Sequence, residues 1–421
     1  MPVLGLAAGR HRVTGKEGVG PSMRIGMFSD SYTPYISGVV RSIQTLRRGM
    51  ERAGHEVYVF GPRYPEGLGE PSDPEEEARV VRFPSVAAPL YPQFRIPVPR
   101  QAQVRAAVHR LGLDVLHTHT PFVMGRMALD AARALRLPLC FTFHTRYDVY
   151  LRHYAPGAGS VLVPALNAYV RRFCNACDLV IAPTRAIGRQ VASLGVETPI
   201  EVVPTGIAIG RFAMGDPAER VRIRCQLGLA NDDVALLYTG RLSREKNLAL
   251  LLQAFRRLAA QRPDVRLVLV GDGPLRENLE RTVAEWGLSG RVRLTGAVPP
   301  DRIAGFYRAA DVYVFPSVTE TQGLVVVEAM AAGLPVVAVA SDVSEEVVAA
   351  GEAGLVVPAT ADELAAACLR LVDDPALRAQ MGRAAQQAAR AYDSDVILAR
   401  ILKLYEDLVA ASAARVALSR R

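Results

Sequence analysis

The sequence predicts an α/β protein built as two doubly wound domains, and three observations carry that expectation. The chain has 421 residues, more than one hydrophobic core usually serves. Short β-branched runs alternate with longer amphipathic stretches from Met23 almost to the end, the pattern of parallel strands joined by helical crossovers. That alternation breaks once, at VVPTGIAIGRF over residues 202–212, where a Pro-Thr-Gly turn follows one strand and a charged segment precedes the next.

Taken in order, residues 1–22 carry basic residues and glycines but no apolar core of the length a secretory signal needs. They are expected to be a disordered extension, with natural translation starting at Met23. Strands are expected at Arg24–Ser29, Glu56–Phe60, Val115–Thr118, Leu139–Phe143, Leu179–Ala182 and Glu201–Val203, forming a first domain over residues 23–205. The stretch Phe83–Pro99 holds five prolines and is expected to be a long loop. A second domain over 206–392 is expected from strands at Val234–Tyr238, Arg266–Val270, Val292–Leu294, Val312–Phe315, Val336–Val339 and Leu355–Val357. Residues 393–421 contain VILARILKLYEDLVAA, apolar at helical spacing, which reads as a docking helix.

Half of the residues are hydrophobic, yet the longest apolar runs are far too short to span a bilayer. Five scattered cysteines do not make a disulfide framework. Cys174 and Cys177 form a lone CxxC with no second pair to complete a zinc tetrahedron, so buried thiols and a cytosolic setting are expected. The net charge of +8 is uneven: residues 23–205 carry +6, whereas residues 206–421 balance. Such a surface suits an anionic lipid leaflet, or mere solubility. A nucleic-acid partner is not expected, because aromatics are 6% of the chain and none interleave a basic stripe.

The most informative segment is DVYVFPSVTETQGLVVVEAMAAGLPVVA, a strand, loop, helix and strand in which Glu320 and Glu328 flank a helix start. Free N–H groups at Gly323, Leu324 and Val325 would form an anion site there, and Gly323 would let a phosphate approach the backbone. A buried Glu328 would suit the two donor hydroxyls of a ribose. Taken alone, the pair reads better as an ordinary helix start, with Glu328 solvated and Glu320 an N-cap substitute.

The loop TGRLSREKN, residues 239–247, shifts the balance. It lies at the C-terminal end of another strand, where ligands gather in open α/β sheets, and it carries Gly240, Arg241 and Lys246. The chain uses lysine at only three of its 50 basic positions, Lys16, Lys246 and Lys403. A lysine in such a loop suits a demand for a compact point charge. A diphosphate leaving group makes that demand. In the N-terminal half, Gly38 of FSDSYTPYISGVVRS opens a helix after a strand and turn, and His144 of FTFHTRYDVYLRHY sits at a strand end.

The glutamates eight apart in PSVTETQGLVVVEAMAAG, with TGRLSREKN some 75 residues earlier, resemble the family 4 retaining glycosyltransferases of the GT-B fold. The resemblance runs from Met23 nearly to the C-terminus. It implies two Rossmann-like domains facing a cleft, with the final helix returning to the N-terminal domain. It also implies Arg241 and Lys246 on a nucleoside diphosphate, Glu328 on the ribose, Glu320 on the donor sugar, and His144 and Gly38 near sugar and phosphate. Retention would then follow from front-face displacement, with no protein nucleophile.

Two departures stand out. Glu320-Thr321-Gln322-Gly323 replaces the Glu-Gly-Phe-Gly of many members, and Ala208 replaces a common Asp. The ETQG sequence, with HTRYDVYLRHY, looks like the diacylglycerol glucosyltransferases. The implied reaction is α-glucosyl transfer from UDP-glucose to the 3-hydroxyl of 1,2-diacylglycerol by a peripheral enzyme on the inner face of the cell membrane. GDP-mannose as donor, another lipid or soluble acceptor, and a non-catalytic sugar-nucleotide binder remain alternatives. No cofactor or metal is expected, since the only DxD triplet, Asp393-Ser394-Asp395, sits where it would cap the last helix. The oligomeric state is not fixed by the sequence. The segment Pro99–Leu113, with Arg100, Arg105, His109 and Arg110 beside Val104, Ala107, Val108 and Leu111, fits either an interfacial helix or a core-facing one with a solvated face.

Overall fold

The computed structural model describes residues 22–65, 74–89, 91–154 and 159–418. The expected disordered extension lies outside the described residues except for Ser22. Two parallel sheets carry the fold, one of seven strands and one of six. By compactness the chain divides into residues 1–141 with 402–421, and residues 142–401.

In the first unit, Arg24–Phe28 is central, pairing in parallel with Glu56–Pro62 on one side and Val115–Thr118 on the other. Its last four residues are all buried, and Phe28 stacks on Phe60 at 4.3 Å. Burial on both faces explains why these strands read as continuous apolar runs. Val80–Phe83 adds an edge strand that the sequence reading missed, paired with Glu56–Pro62. The proline-rich stretch is a correction: Ser85–Ala88 and Tyr91–Pro97 form an antiparallel hairpin rather than a loop. Prolines fit because a two-stranded ribbon consists of edges, where a missing N–H need not break a ladder.

Helix Gln101–Leu111 turns Val104, Ala107 and Val108 into the core, and its Arg105 pairs with Asp130. Its apolar side is therefore spent inside the protein. The end of the long helix Ser394–Leu418 belongs to this unit, with Tyr405 fully buried and its hydroxyl 2.5 Å from His117 Nδ1. Ser412 also donates to the Arg136 carbonyl, so the final helix does return to the N-terminal region.

In the second unit, the six-stranded sheet runs, in spatial order, Val292–Gly296, Val265–Val270, Val234–Thr239, Val312–Phe315, Val336–Val339 and Gly354–Val357. Alternate residues of Val234–Thr239 feed two cores: Ala235 and Leu237 pack with Val327 and Met330, while Leu236 and Tyr238 pack with Leu252 and Phe255. Leu179–Ala182 and Ile200–Val202 pair in parallel in the same unit. Helix Ile209–Ala213 begins at Ala208 without a side-chain cap, the structural counterpart of the missing aspartate. Asp393 Oδ1 accepts the Asp395 N–H at the start of the last helix, as the capping reading expected. Cys140, Cys174, Cys177 and Cys368 are buried and in no disulfide, and Cys225 is exposed.

Candidate functional site

The six residues of Val234–Thr239 are buried, and the chain leaves the sheet through Gly240. The next strand, Val265–Val270, leaves through Gly271, and the two exits are pressed backbone to backbone. Gly240 N–H donates to the Val270 carbonyl, and Leu242 N–H to that of Asp272. A Cβ on Gly271 would lie 1.9 Å from the Gly240 oxygen, and its φ of +143° disfavours any side chain. Gly271 was not singled out in the sequence, because its partner is another loop.

From Gly240 the chain passes Arg241 and makes a short turn at Arg244–Lys246. Glu245 is buried and accepts from the Ser243 hydroxyl at 2.5 Å, while its carbonyl accepts from Ser317 and Thr319 hydroxyls at 3.4 and 3.3 Å. These bonds stitch the 243–246 turn to the 317–320 loop. Lys246 Nζ consequently meets the Glu320 carboxylate, the two side chains being 16% and 23% exposed. The sequence-nominated cation and acid are thus neighbours, each partly open to solvent.

Gly323 adopts a left-handed φ of +73° and starts helix Leu324–Ala331. The N–H groups at the start of a helix have no intrahelical acceptor, so those of Gly323, Leu324 and Val325 are available to an anion by construction. Within that helix Glu328 is buried, and its Oε2 accepts from Tyr307 OH at 2.7 Å. Tyr307 OH also lies 2.6 Å from Thr239 Oγ1, which is 3.1 Å from Tyr313 OH. Burial, above all, pushes both phenols well above their usual range, keeping them protonated donors. Glu328 is therefore an acceptor fixed by a buried network at the end of Val234–Thr239, not a solvated helix residue. The tyrosines gave no sequence signal, because each reads as core.

His144 follows the strand Leu139–Thr142, which continues through Phe143 N–H to the Ile181 carbonyl. Desolvation holds the imidazole down to about 4, so the ring is neutral at neutral pH. The carbonyl of His144 accepts from the Thr321 hydroxyl at 2.9 Å, which brings ETQG and HTRYDVYLRHY together. Residues 142–401 thus hold His144, Gly240, Arg241, Lys246, Glu320, Gly323, Leu324, Val325 and Glu328 in one compact unit.

Gly38 belongs to the other unit, at the start of helix Gly38–Arg52, where Ser37 caps by accepting the Val40 N–H. That unit also buries Asp30 and His119 just beyond the ends of Arg24–Phe28 and Val115–Thr118. Asp30 Oδ1 accepts the Met124 N–H at 2.7 Å, and burial raises its carboxyl above the usual range. Neither was singled out, since HTHT reads as a strand end. Among the described residues no group of three or more His, Cys, Asp or Glu could hold a metal ion.

Comparison with known proteins places this geometry. Residues 36–211 match the model described as Glycosyltransferase Family 4, and residues 219–388 match Glycosyl transferases group 1. The alpha-monoglucosyldiacylglycerol synthase of Acholeplasma laidlawii is 31% identical over 398 residues, covering 92% of this chain and 98% of that protein. The phosphatidyl-myo-inositol mannosyltransferase of Mycolicibacterium smegmatis is also 31% identical, over 91% of this chain and 94% of its own. The crystal structure of Anabaena HepE in complex with UDP-glucose superposes with a TM-score of 0.72 at 22% identity, covering 91% of this chain and all of that one. Two parallel-sheet Rossmann-like domains and these matches lead to one assignment: the chain belongs to glycosyltransferase family 4 and has the GT-B fold.

Proposed function

We propose that this glycosyltransferase transfers glucose from UDP-glucose to the 3-hydroxyl of 1,2-diacylglycerol with retention, giving an α-glucosyl lipid. The observation that carries the reading is the Thr321–His144 contact. It joins the two segments by which the sequence looks like diacylglycerol glucosyltransferases, and a full-length relative of that activity adds support. Residues 206–392 hold the donor in this reading, and 23–205 the acceptor.

Glu328, fixed by Tyr307, accepts from the ribose hydroxyls. Arg241, Lys246 and the helix start at Gly323–Val325 face the diphosphate, and Glu320 takes a sugar hydroxyl. As the bond from the anomeric carbon to the diphosphate breaks, the acceptor oxygen bonds to that carbon from the same face. The acceptor proton passes to the departing phosphate oxygen, and UDP leaves. The cationic side chains and helix N–H groups stabilise the growing negative charge, so no metal is required. Neutral His144 can donate or accept at the sugar without becoming charged. No helix among the described residues is long and apolar enough to cross a membrane, and the enzyme meets its lipid as a peripheral protein on the inner leaflet.

The test is a screen of purified protein with UDP-glucose and GDP-mannose against diacylglycerol and soluble acceptors, reading product mass and anomeric configuration, with and without excess EDTA. A hexosyl diacylglycerol with an α linkage, formed equally in EDTA, is expected. A β product, or activity lost to EDTA and restored by magnesium, overturns the mechanism. The equally identical mannosyltransferase, with a GDP-mannose-dependent alpha-mannosyltransferase of the same organism at 28% identity, favours GDP-mannose as the second reading; mannose transfer in the same screen would select it.

A further inference from the structure

The Glu320–Gly323 turn is held by the two side chains between its acid and its glycine. Thr321 Oγ1 donates to the His144 carbonyl at 2.9 Å, while the Thr321 carbonyl accepts from Thr184 Oγ1 at 3.0 Å. Thr184 is itself a fixed point: it is buried, and its hydroxyl accepts the Ile187 N–H at the start of helix Arg185–Ser193. Gln322 is 3% exposed and makes a two-point pair with one residue. Its Oε1 accepts the Thr205 N–H at 2.6 Å, and its Nε2 donates to the Thr205 carbonyl at 2.9 Å. Only a carboxamide of this length offers a donor and an acceptor together to one backbone unit. Four hydrogen bonds within residues 142–401 therefore anchor a two-residue segment.

We infer that Thr321 and Gln322 are positioning residues: they seat the Glu320–Gly323 turn on His144, Thr184 and Thr205, and so fix where Glu320 presents its carboxylate to the donor sugar. The inference rests on the proposed role of Glu320. Glu328 is held by a separate partner, Tyr307, whereas the Lys246 side chain meets Glu320 itself. Loosening the turn leaves the ribose contact at Glu328 in place and misplaces the groups that meet the sugar and the departing diphosphate, so the loss falls on kcat rather than on donor KM. A residue serving stability alone would lower Tm and leave kcat per folded molecule unchanged.

The experiment compares Thr321→Val, which keeps the shape and removes the hydroxyl, with Thr321→Ser, which keeps the hydroxyl. Gln322→Glu keeps the acceptor and removes the donor. Initial rates over nucleotide-sugar concentration give kcat and KM, with Tm measured beside them and Glu320→Gln assayed in parallel. The expected result is a fall in kcat of about tenfold or more for Thr321→Val and Gln322→Glu, a donor KM within about threefold, and Thr321→Ser near wild type. An unchanged kcat, or a rise in KM alone, overturns the inference. If Thr321→Val does not fold, Gln322→Glu is read by the same criteria. Should Glu320→Gln also turn over normally, the reading of the site fails instead, so the two failures are distinguishable.

Discussion

The loops that close the strands of the six-stranded sheet and the basic N-terminal region answer different physical demands. In the loops, each feature has one geometric solution. Gly271 must be glycine because the Gly240 carbonyl stands where a Cβ would be, and Glu328 is buried against Tyr307. The N-terminal region carries a +6 surplus spread over 183 positions, and any one arginine there can move without changing the field. A site defined by backbone approach and single charges leaves short motifs in a sequence. A surface defined by summed charge or pocket shape does not.

The sharpest way to break that contrast is to remove the point charges. Lys246→Ala and Arg241→Ala are each expected to lower turnover by about 10²-fold or more, the scale found for one oxyanion-stabilising donor, with folding intact. Near-normal kcat in both would erase the diphosphate assignment.

Next in size is Glu328→Gln. If Glu328 accepts from the ribose as proposed, replacing its buried carboxyl by an amide weakens hydrogen bonds worth about 1.5–3 kcal/mol, so donor KM should rise roughly 10- to 100-fold with kcat changed less. Tyr307→Phe, which removes only the phenol holding Glu328, should raise KM less. If the two variants matched wild-type KM, Glu328 would not bind the donor.

These tests also show what the sequence could and could not reveal. Most of the twelve expected strands were legible because burial on both faces leaves β-branched runs, whereas the edge Val80–Phe83 is only half-buried over its first three residues and carries Arg82. Gly240, Lys246, Glu320 and Glu328 were legible as motif positions. Their supports were not: Tyr307 lies 68 residues from Thr239, and Thr321 lies 177 residues from His144. Pairings over such separations are made by topology, and nothing local marks them. The proline-rich hairpin misled for the opposite reason, since its local signal was strong and only pairing overrides it.

His144 sharpens the comparison through pH. Its folded value of about 4 lies below the ordinary 6.5, so the unfolded chain takes up a proton that the folded chain refuses between those values. Wild type therefore loses stability as pH falls from about 6.5 toward 4, by up to about 1.4 kcal/mol per pH unit from this group. His144→Gln should flatten that part of the curve and run parallel to wild type above pH 7. Denaturant midpoints across pH 4–8 check this. Parallel curves throughout would mean that His144 titrates normally and is not a desolvated group.

The smallest effect is expected at the membrane, where the N-terminal surplus should draw the full chain to anionic vesicles and not to neutral ones. Helix Gln101–Leu111 decides the form of the prediction. Val104, Ala107 and Val108 are buried in the core, so this helix has no apolar face to insert, and attraction must come from exposed charges such as Arg100 and Arg110. Each contributes on the order of 1 kcal/mol near an anionic leaflet, or roughly fivefold in binding. The attraction fades as the Debye length shrinks from about 10 Å at 0.1 M salt to about 3 Å at 1 M. Cosedimentation should thus show binding lost in high salt and weakened roughly fivefold by Arg110→Ser, while turnover on detergent-dispersed diacylglycerol stays unchanged. Salt-resistant binding would point to apolar insertion elsewhere in the chain. Equal, negligible binding to both vesicle types would make the surplus a matter of solubility and leave the lipid acceptor to be argued from the Thr321–His144 contact and the diacylglycerol-glucosylating relative alone.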